Sequence, residues 1–345
     1  MKMTRFDSGS GCTRRRLVKA LGLAGAGALA SRDLLMSAQA PKRNKIDVHS
    51  HTYPPVQANG KAATWTPETT IEAMDKYGIS VSILSAINGS RDPFYSGKPE
   101  AAAAVRASNE YHAKLVQQYP KRFGFFANVA INDIDGSLKE IEYAMDTLKA
   151  DGMAMWTSTP DKKYPGNDMY KPIMEELNRR KVAVFIHPAD PWCCRNIDPP
   201  VPDIMGEYDF DVTRAGESLL LHGTFENSPD IKFIFVHSGG AIPMLAGRIR
   251  DRVKQGKRED LEPKVFDLLR KQYYDIAHAS FPFPFGALRN FVPNSQILFG
   301  TDYPAQPIAS TTDPIPTLGL SAANLQGIYS GNAVRMFPRL KALLS

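Results

Sequence analysis

Cysteine is scarce in this chain: 345 residues hold three, Cys12, Cys193 and Cys194. Adjacent cysteines bridge each other only with strain, so no disulfide framework follows from the pair. None has a partner at C-x-x-C spacing, which argues against a structural zinc site. A loop or buried-thiol role is the default for Cys193 and Cys194. Long apolar runs are also missing. The run at 20–30 is about half the roughly 20 residues that span a bilayer, so no permanent membrane anchor is expected. A one-signed charge is missing from the body. The formal charge is +6, but the first forty residues hold seven Lys/Arg against two Asp/Glu, leaving 35 against 34 for the rest. A body so balanced has no basic stripe for phosphates, and nucleic acid is not an expected partner. There is no G-x-S-x-G elbow and no P-loop, which weakens serine-hydrolase and phosphoryl-transfer readings. No repeat, linker or low-complexity tract divides the body, and 43% hydrophobic residues are ample for one core.

What is present begins with residues 1–40. Arg14-Arg15-Arg16-Leu17-Val18-Lys19 precedes the short apolar run, and Ser37-Ala38-Gln39-Ala40 follows with small residues at both cleavage-determining positions. This reads as a twin-arginine-type export signal, implying a periplasmic or exported protein that leaves the cytoplasm already folded. Gly25-Ala26-Gly27 with Ala30 imitates a dinucleotide fingerprint, but no strand precedes it and no acidic residue follows at βαβ spacing. Residues 41–345 are expected to be one domain.

That domain alternates strands and helices. Strands are predicted at 45–51, 79–84, 123–129, 152–156, 182–186, 231–236, 273–276 and 296–299. Helices are predicted from Thr66-Pro67-Glu68 to Gly78, within 99–119, and at 136–149, 168–180, 211–227, 242–253, 261–270, 285–291 and 322–337. Several strands are unbroken apolar runs, as when both faces are buried. Eight β/α units predict a single closed (β/α)8 TIM barrel, with a doubly wound open sheet as the alternative. The proline-rich stretch 190–209 is a candidate lid.

In such a barrel, catalytic groups sit where strands end. His49 and His51 end the first strand, and alternation puts them on one face with Asp47. His187 ends the fifth, His237 the sixth and Asp302 the eighth. Five polar residues at four strand ends strain the reading of each as a satisfied core group. Three imidazoles and a carboxylate suit one divalent metal, zinc first, with manganese the alternative. The favoured ligands are His49, His51, His187 and Asp302. His237 then lies across the pocket, able to exchange a proton with a bound oxygen. His278 is a lesser pocket candidate, His112 is expected to be solvated and His222 structural. Asp47 reads as a supporting acid, and Arg91 and Arg248 as possible contacts for an anion.

Asp47-Val48-His49-Ser50-His51 with Pro54, Phe185-Ile186-His187-Pro188, His237-Ser238-Gly239-Gly240 with Pro243, and Gly300-Thr301-Asp302-Tyr303-Pro304 resemble the amidohydrolase-related superfamily. The branch is that of aminocarboxymuconate-semialdehyde decarboxylase. Segments 119–126 and 176–188 are most similar to 6-methylsalicylate decarboxylase-type proteins. The resemblance implies the same four metal ligands, with His237 catalytic. It also implies that Arg248 reaches a substrate carboxylate from a neighbouring subunit, hence a homodimer or higher homo-oligomer. Met153-Ala154-Met155-Trp156 stands where binuclear relatives carry a carbamylated lysine, so the resemblance implies one metal. The export signal departs from the branch, whose members are usually cytoplasmic.

The expected function is non-oxidative decarboxylation of a small aromatic or unsaturated carboxylic acid of ortho-hydroxybenzoate type, releasing CO2. The required proton comes from Asp302 or from a water held by His237. Metal-dependent hydrolysis of a lactone, ester or amide uses the same residues and is the alternative. A non-catalytic binding protein is disfavoured by the intact ligand set.

Overall fold

The computed structural model describes residues 42–54, 65–86, 100–130, 132–189, 191, 202 and 205–344. The export signal, Arg91, all three cysteines and most of the proline-rich stretch lie outside these. No helix among the described residues is long and apolar enough to cross a membrane.

Eight strands form one sheet in sequence order: β1 Lys45–His51, β2 Ile79–Ser85, β3 Phe123–Asn128, β4 Gly152–Trp156, β5 Ala183–His187, β6 Lys232–Phe235, β7 Tyr273–Asp275 and β8 Ile297–Leu298. Every neighbouring pair is parallel. A doubly wound sheet reverses its strand order at a switch point, and this one never does. The chain continuing from β8 meets β1: Val48 N donates to Phe299 O at 3.0 Å and Asp302 N to His49 O at 2.7 Å. Those bonds bring the sheet's ends together into a (β/α)8 TIM barrel.

The eighth strand is shorter than the sequence suggests because residues 299–303 follow β1 irregularly rather than as a regular ladder. Gly300 makes this approach possible: a Cβ there would lie 2.8 Å from His49 Cβ and 2.9 Å from Asp275 Cβ. Asp47 fastens the same seam. Its carboxylate accepts from His49 N, Thr301 N and Thr301 Oγ1 at 3.0, 3.0 and 2.6 Å. Burial pushes the Asp47 pKa up to about 7 against these hydrogen bonds.

Helices fill the outer layer. Thr66 caps the helix Pro67–Lys76, its hydroxyl accepting from Thr69 N, with Pro67 in the first turn. Two predicted helices are interrupted. The one at 211–227 begins earlier, as Glu207–Leu221, and breaks at Gly223, whose φ of 75° ends it before a short turn at Thr224–Asn227. The last, 322–337, passes through a π-helical turn, Gly327–Gly331. Inside the barrel, Phe185 stacks on Phe126 at 5.2 Å and meets the His49 ring edge-on at 5.0 Å. Truncating such a buried phenylalanine costs about 3–5 kcal/mol. The polar cluster at the strand ends therefore rests on a packed aromatic layer.

Candidate metal centre

Strand alternation aims His49 and His51 inward together, and hydrogen bonds then orient each ring. His49 Nδ1 lies 2.8 Å from Asp275 Oδ2, at the end of β7. His51 Nδ1 lies 2.9 Å from Ser85 Oγ, whose own hydroxyl donates to Ser50 O. His187 Nδ1 lies 3.0 Å from Pro188 O. In all three rings an oxygen holds the Nδ1 proton, so the neutral ring presents a lone pair at Nε2. Those Nε2 atoms converge. His49 and His51 face each other at 3.1 Å, and His187 Nε2 is buried with no hydrogen-bond partner. Asp302 Oδ1 stands 3.2 Å from His49 Nε2 and 2.7 Å from His51 Nε2.

The ligand atoms of His49, His51, His187 and Asp302 all lie within 4.8 Å of one another, and all four residues are buried. Facing lone pairs and an orphaned buried nitrogen are costly unless a shared cation satisfies them. The donor set thus fits a divalent ion, and a three-histidine, one-carboxylate set leaves room for substrate.

The electrostatics agree. Burial drives His49 toward neutrality, yet Asp275 and Asp302 outweigh it and push its pKa up to about 10. The two carboxylates ask for positive charge at the Nε2 face, which a metal ion supplies. Burial lowers His51. Burial, reinforced by His51 and His49, holds His187 well below the ordinary imidazole value. Burial alone favours a protonated Asp302. Positive charge at the His49 face, and the hydrogen bond from His278, instead keep it ionised, well below the usual carboxylate range.

The backbone concentrates strain here. Among the described residues, eight that are not glycine have positive φ, and four of them are His237, Ser238, His278 and Asp302. Such conformations cost about 1–3 kcal/mol each and persist where surrounding structure over-determines them. They bend the chain just past β6, β7 and β8, turning side chains over the barrel mouth. His278 Nε2 donates to Asp302 Oδ2 at 2.8 Å, and its ring meets His237 edge-on at 4.8 Å. This bond satisfies that side of the His237, His278 and Asp302 grouping without a second ion.

Asp275 is the important residue that sequence reasoning missed. Fully buried, it accepts from His49 Nδ1 through Oδ2 and from the backbone N–H groups of His237 and Ala277 through Oδ1, each at 3.0 Å. It joins a metal-cluster residue to the neighbouring histidine. Asp275→Ala is expected to weaken metal affinity by about 10–100-fold, as loss of an outer partner does. Competitive titration with a chromophoric chelator checks this, and an unchanged affinity would remove Asp275 from the centre. Asp209, also missed, lies 3.0 Å from His237 Nδ1.

Other expectations fare differently. His112 is not solvated: it is fully buried, with Nε2 2.6 Å from Thr52 Oγ1, and burial lowers its pKa to about 3. Val105, Ser108, His112 and Leu115 share one buried face of the helix Ala101–Gln118, a spacing visible in the sequence. The folded protein therefore refuses a proton that the unfolded chain takes near pH 6.5. This group's contribution is complete above that pH and is lost as pH falls. From about pH 7.5 to about pH 5.5 the native chain should lose about 1.4 kcal/mol more stability than His112→Gln, by urea unfolding. Equal losses would contradict a neutral, buried His112.

His222 caps the helix Glu207–Leu221, its Nδ1 2.9 Å from Ser218 O. Arg248 is exposed on the helix Ile242–Arg252, and no described hydrogen bond or ion pair joins it to the cluster.

A family model described as amidohydrolase matches residues 46–339. The chain is 33% identical to 6-methylsalicylic acid decarboxylase of Penicillium expansum over 317 residues, covering 87% of this chain and 98% of the relative. It is 31% identical to Decarboxylase yanB of Aspergillus niger, covering 86% and 88%. A dihydroxybenzoic acid decarboxylase from a Polaromonas species, solved with manganese and the inhibitor 2-nitroresorcinol, superposes with a TM-score of 0.75. It is 20% identical, with 86% of this chain and 97% of that one covered.

Proposed function

The chain belongs to the amidohydrolase family, and from that membership we propose that it is a metal-dependent carboxy-lyase. Its reaction is the non-oxidative decarboxylation of a small ortho-hydroxybenzoate-type acid. The observation that carries this reading is the near full-length similarity to 6-methylsalicylic acid decarboxylase, combined with a cluster that supplies a metal set and an adjacent unpartnered histidine nitrogen.

His49, His51, His187 and Asp302 are the residues that would hold the metal. When bound, it would draw the substrate's oxygens into one orientation and stabilise negative charge as the C–C bond breaks. The rest falls to the chain. The substrate carboxylate leaves as CO2, its bonding electrons stay on the ring carbon, and that carbon takes one proton. His237 Nε2, buried and without a hydrogen-bond partner, is placed to take up a proton from water before each turnover and hand it to that carbon. Asp302, whose Oδ2 is hydrogen-bonded to His278 beside the same pocket, is the alternative source of that proton. Buried Trp156, at the end of β4, meets the His187 ring edge-on at 6.3 Å and adds an apolar wall beside the histidines.

Zinc suits the imidazole-rich set, and the manganese in the dihydroxybenzoic acid decarboxylase makes that ion the alternative. A homo-oligomer is the proposed assembly, with Arg248 offered to a neighbouring copy's substrate. Arg248 shares an exposed helix with Met244, and exposed Phe283 lies on the helix packed beside it. Export by the twin-arginine route is proposed from the sequence of residues 1–40.

The test incubates metal-loaded and chelator-treated protein with ortho-hydroxybenzoates and, separately, with aryl esters and lactones. Metal-dependent CO2 release from the acids supports the lyase. Turnover of an ester or lactone alone moves the protein to the hydrolases.

A further inference from the structure

His237 is held at several points. Its backbone N–H donates to Asp275, its ring stacks on His49 at 5.4 Å, and its edge meets His278. The remaining constraint comes from outside the strands. Asp209, in the first turn of the helix Glu207–Leu221, places Oδ1 3.0 Å from His237 Nδ1. The His237 side chain is 7% exposed and that of Asp209 50%.

The pairing is built into the fold. The Asp209 carbonyl accepts from Thr213 Oγ1 at 2.8 Å, and the same hydroxyl accepts from Ala241 N at 2.9 Å. Gly240, at a φ of 58°, lies so close to the Asp209 carbonyl that a Cβ would sit 2.0 Å from that oxygen. The helix start and the His237–Ala241 turn are thus stitched together, with two hydrogen bonds of the Thr213 hydroxyl and one glycine contact fixing the Asp209 backbone beside the turn that carries the ring. An acid in a helix's first turn is ordinarily explained by the helix dipole. That explanation accounts for the residue type but not for the stitching or for the direction of its carboxylate.

We propose that Asp209 is a positioning residue for His237, fixing its proton on Nδ1 and leaving Nε2 as the lone-pair atom that faces the reacting centre. This rests on the reading of His237 as the proton-exchanging group. A neutral imidazole has two tautomers, and the one present is set by the bond its other nitrogen makes. Without Asp209 the resting proton is free to move to Nε2 and the ring to turn, and either change takes from the site the nitrogen that takes up and delivers the reacting proton. The metal ligands touch neither partner of this pair by hydrogen bond, so metal retention is independent of Asp209.

The experiment compares Asp209→Ala and the near-isosteric Asp209→Asn in the wild-type and His237→Asn backgrounds, all as metal-loaded full chains. Expected for Asp209→Ala are unchanged metal content, a kcat lower by about 10–100-fold and KM within about threefold. Nitrogen-15 spectra of labelled histidine should show His237 losing its pure Nδ1–H form. In the His237→Asn background, Asp209→Ala should cost nothing further, and in the wild-type background Asp209→Glu should keep part of the rate that Asp209→Ala loses. Full kcat in Asp209→Ala, or an equal loss in both backgrounds, overturns the proposal. The Asn variant guards against a folding defect, since it keeps size and an accepting oxygen. If His237→Asn turns over at the wild-type rate, the reading of His237 itself fails and Asp209 falls with it. An inactive His237→Asn beside a fully active Asp209→Ala removes Asp209 alone.

Discussion

His187→Ala, purified alongside the wild type, is expected to lose its metal and its activity together. His187 supplies a buried Nε2 with no hydrogen-bond partner, so its side chain contributes one ligand bond and little else at that face. Loss of a mere outer partner weakens metal binding by about 10–100-fold, and removing a ligand should weaken it by at least about 100-fold. The same holds for Asp302→Ala, with an added penalty. Asp302 also supplies the negative charge beside the Nε2 atoms of His49 and His51, and without it His278 loses its acceptor. Elemental analysis after dialysis, with activity measured on the same samples, reads both losses. A variant that loses the metal yet keeps turning over would show that the cluster is not the working centre.

His237→Asn has the opposite signature. Its metal content should match the wild type, because His237 makes none of the close contacts among His49, His51, His187 and Asp302. Its kcat should fall by about 100- to 10,000-fold, the range that a positioned acid–base group contributes. Substrate affinity should change little. Metal analysis beside steady-state kinetics separates the cases. If the metal leaves with His237, that imidazole is a ligand and the assignment of four must be redrawn.

The strand-end histidines were legible because the information is one-dimensional. An unbroken apolar run such as Val182–Ile186, set between helical patterns, reads as a strand buried on both faces, and the polar residue ending it then emerges at the rim. His49 and His51 needed one further step, the period of two. The supporting groups were not legible in that way. Asp275 is an ordinary acid after Tyr273-Tyr274, and its role appears only when the barrel brings the end of β7 between His49 on β1 and His237 just past β6. Asp209 is 28 residues from His237, and a helix start brings them together. His278 sits past a strand end, as sequence position suggested, but its left-handed backbone decides that it reaches Asp302. His112 is buried because its place on the apolar face of the helix Ala101–Gln118 outweighs its polarity. The fold's irregularities, from the two-residue β8 to the break at Gly223, depend on close approaches that no local propensity encodes.

The most direct measurement follows both halves of the reaction in one sample. Metal-loaded protein is incubated in deuterium oxide with 6-methylsalicylate or 2,6-dihydroxybenzoate carrying carbon-13 in the carboxyl group, and is observed by nuclear magnetic resonance. Metal-dependent decarboxylation predicts one labelled CO2 for each product molecule and one deuterium at the vacated ring carbon, both abolished by chelation. An untouched carboxylate across this class of acids, with an ester or lactone hydrolysed by the same metal-loaded protein, would contradict the account.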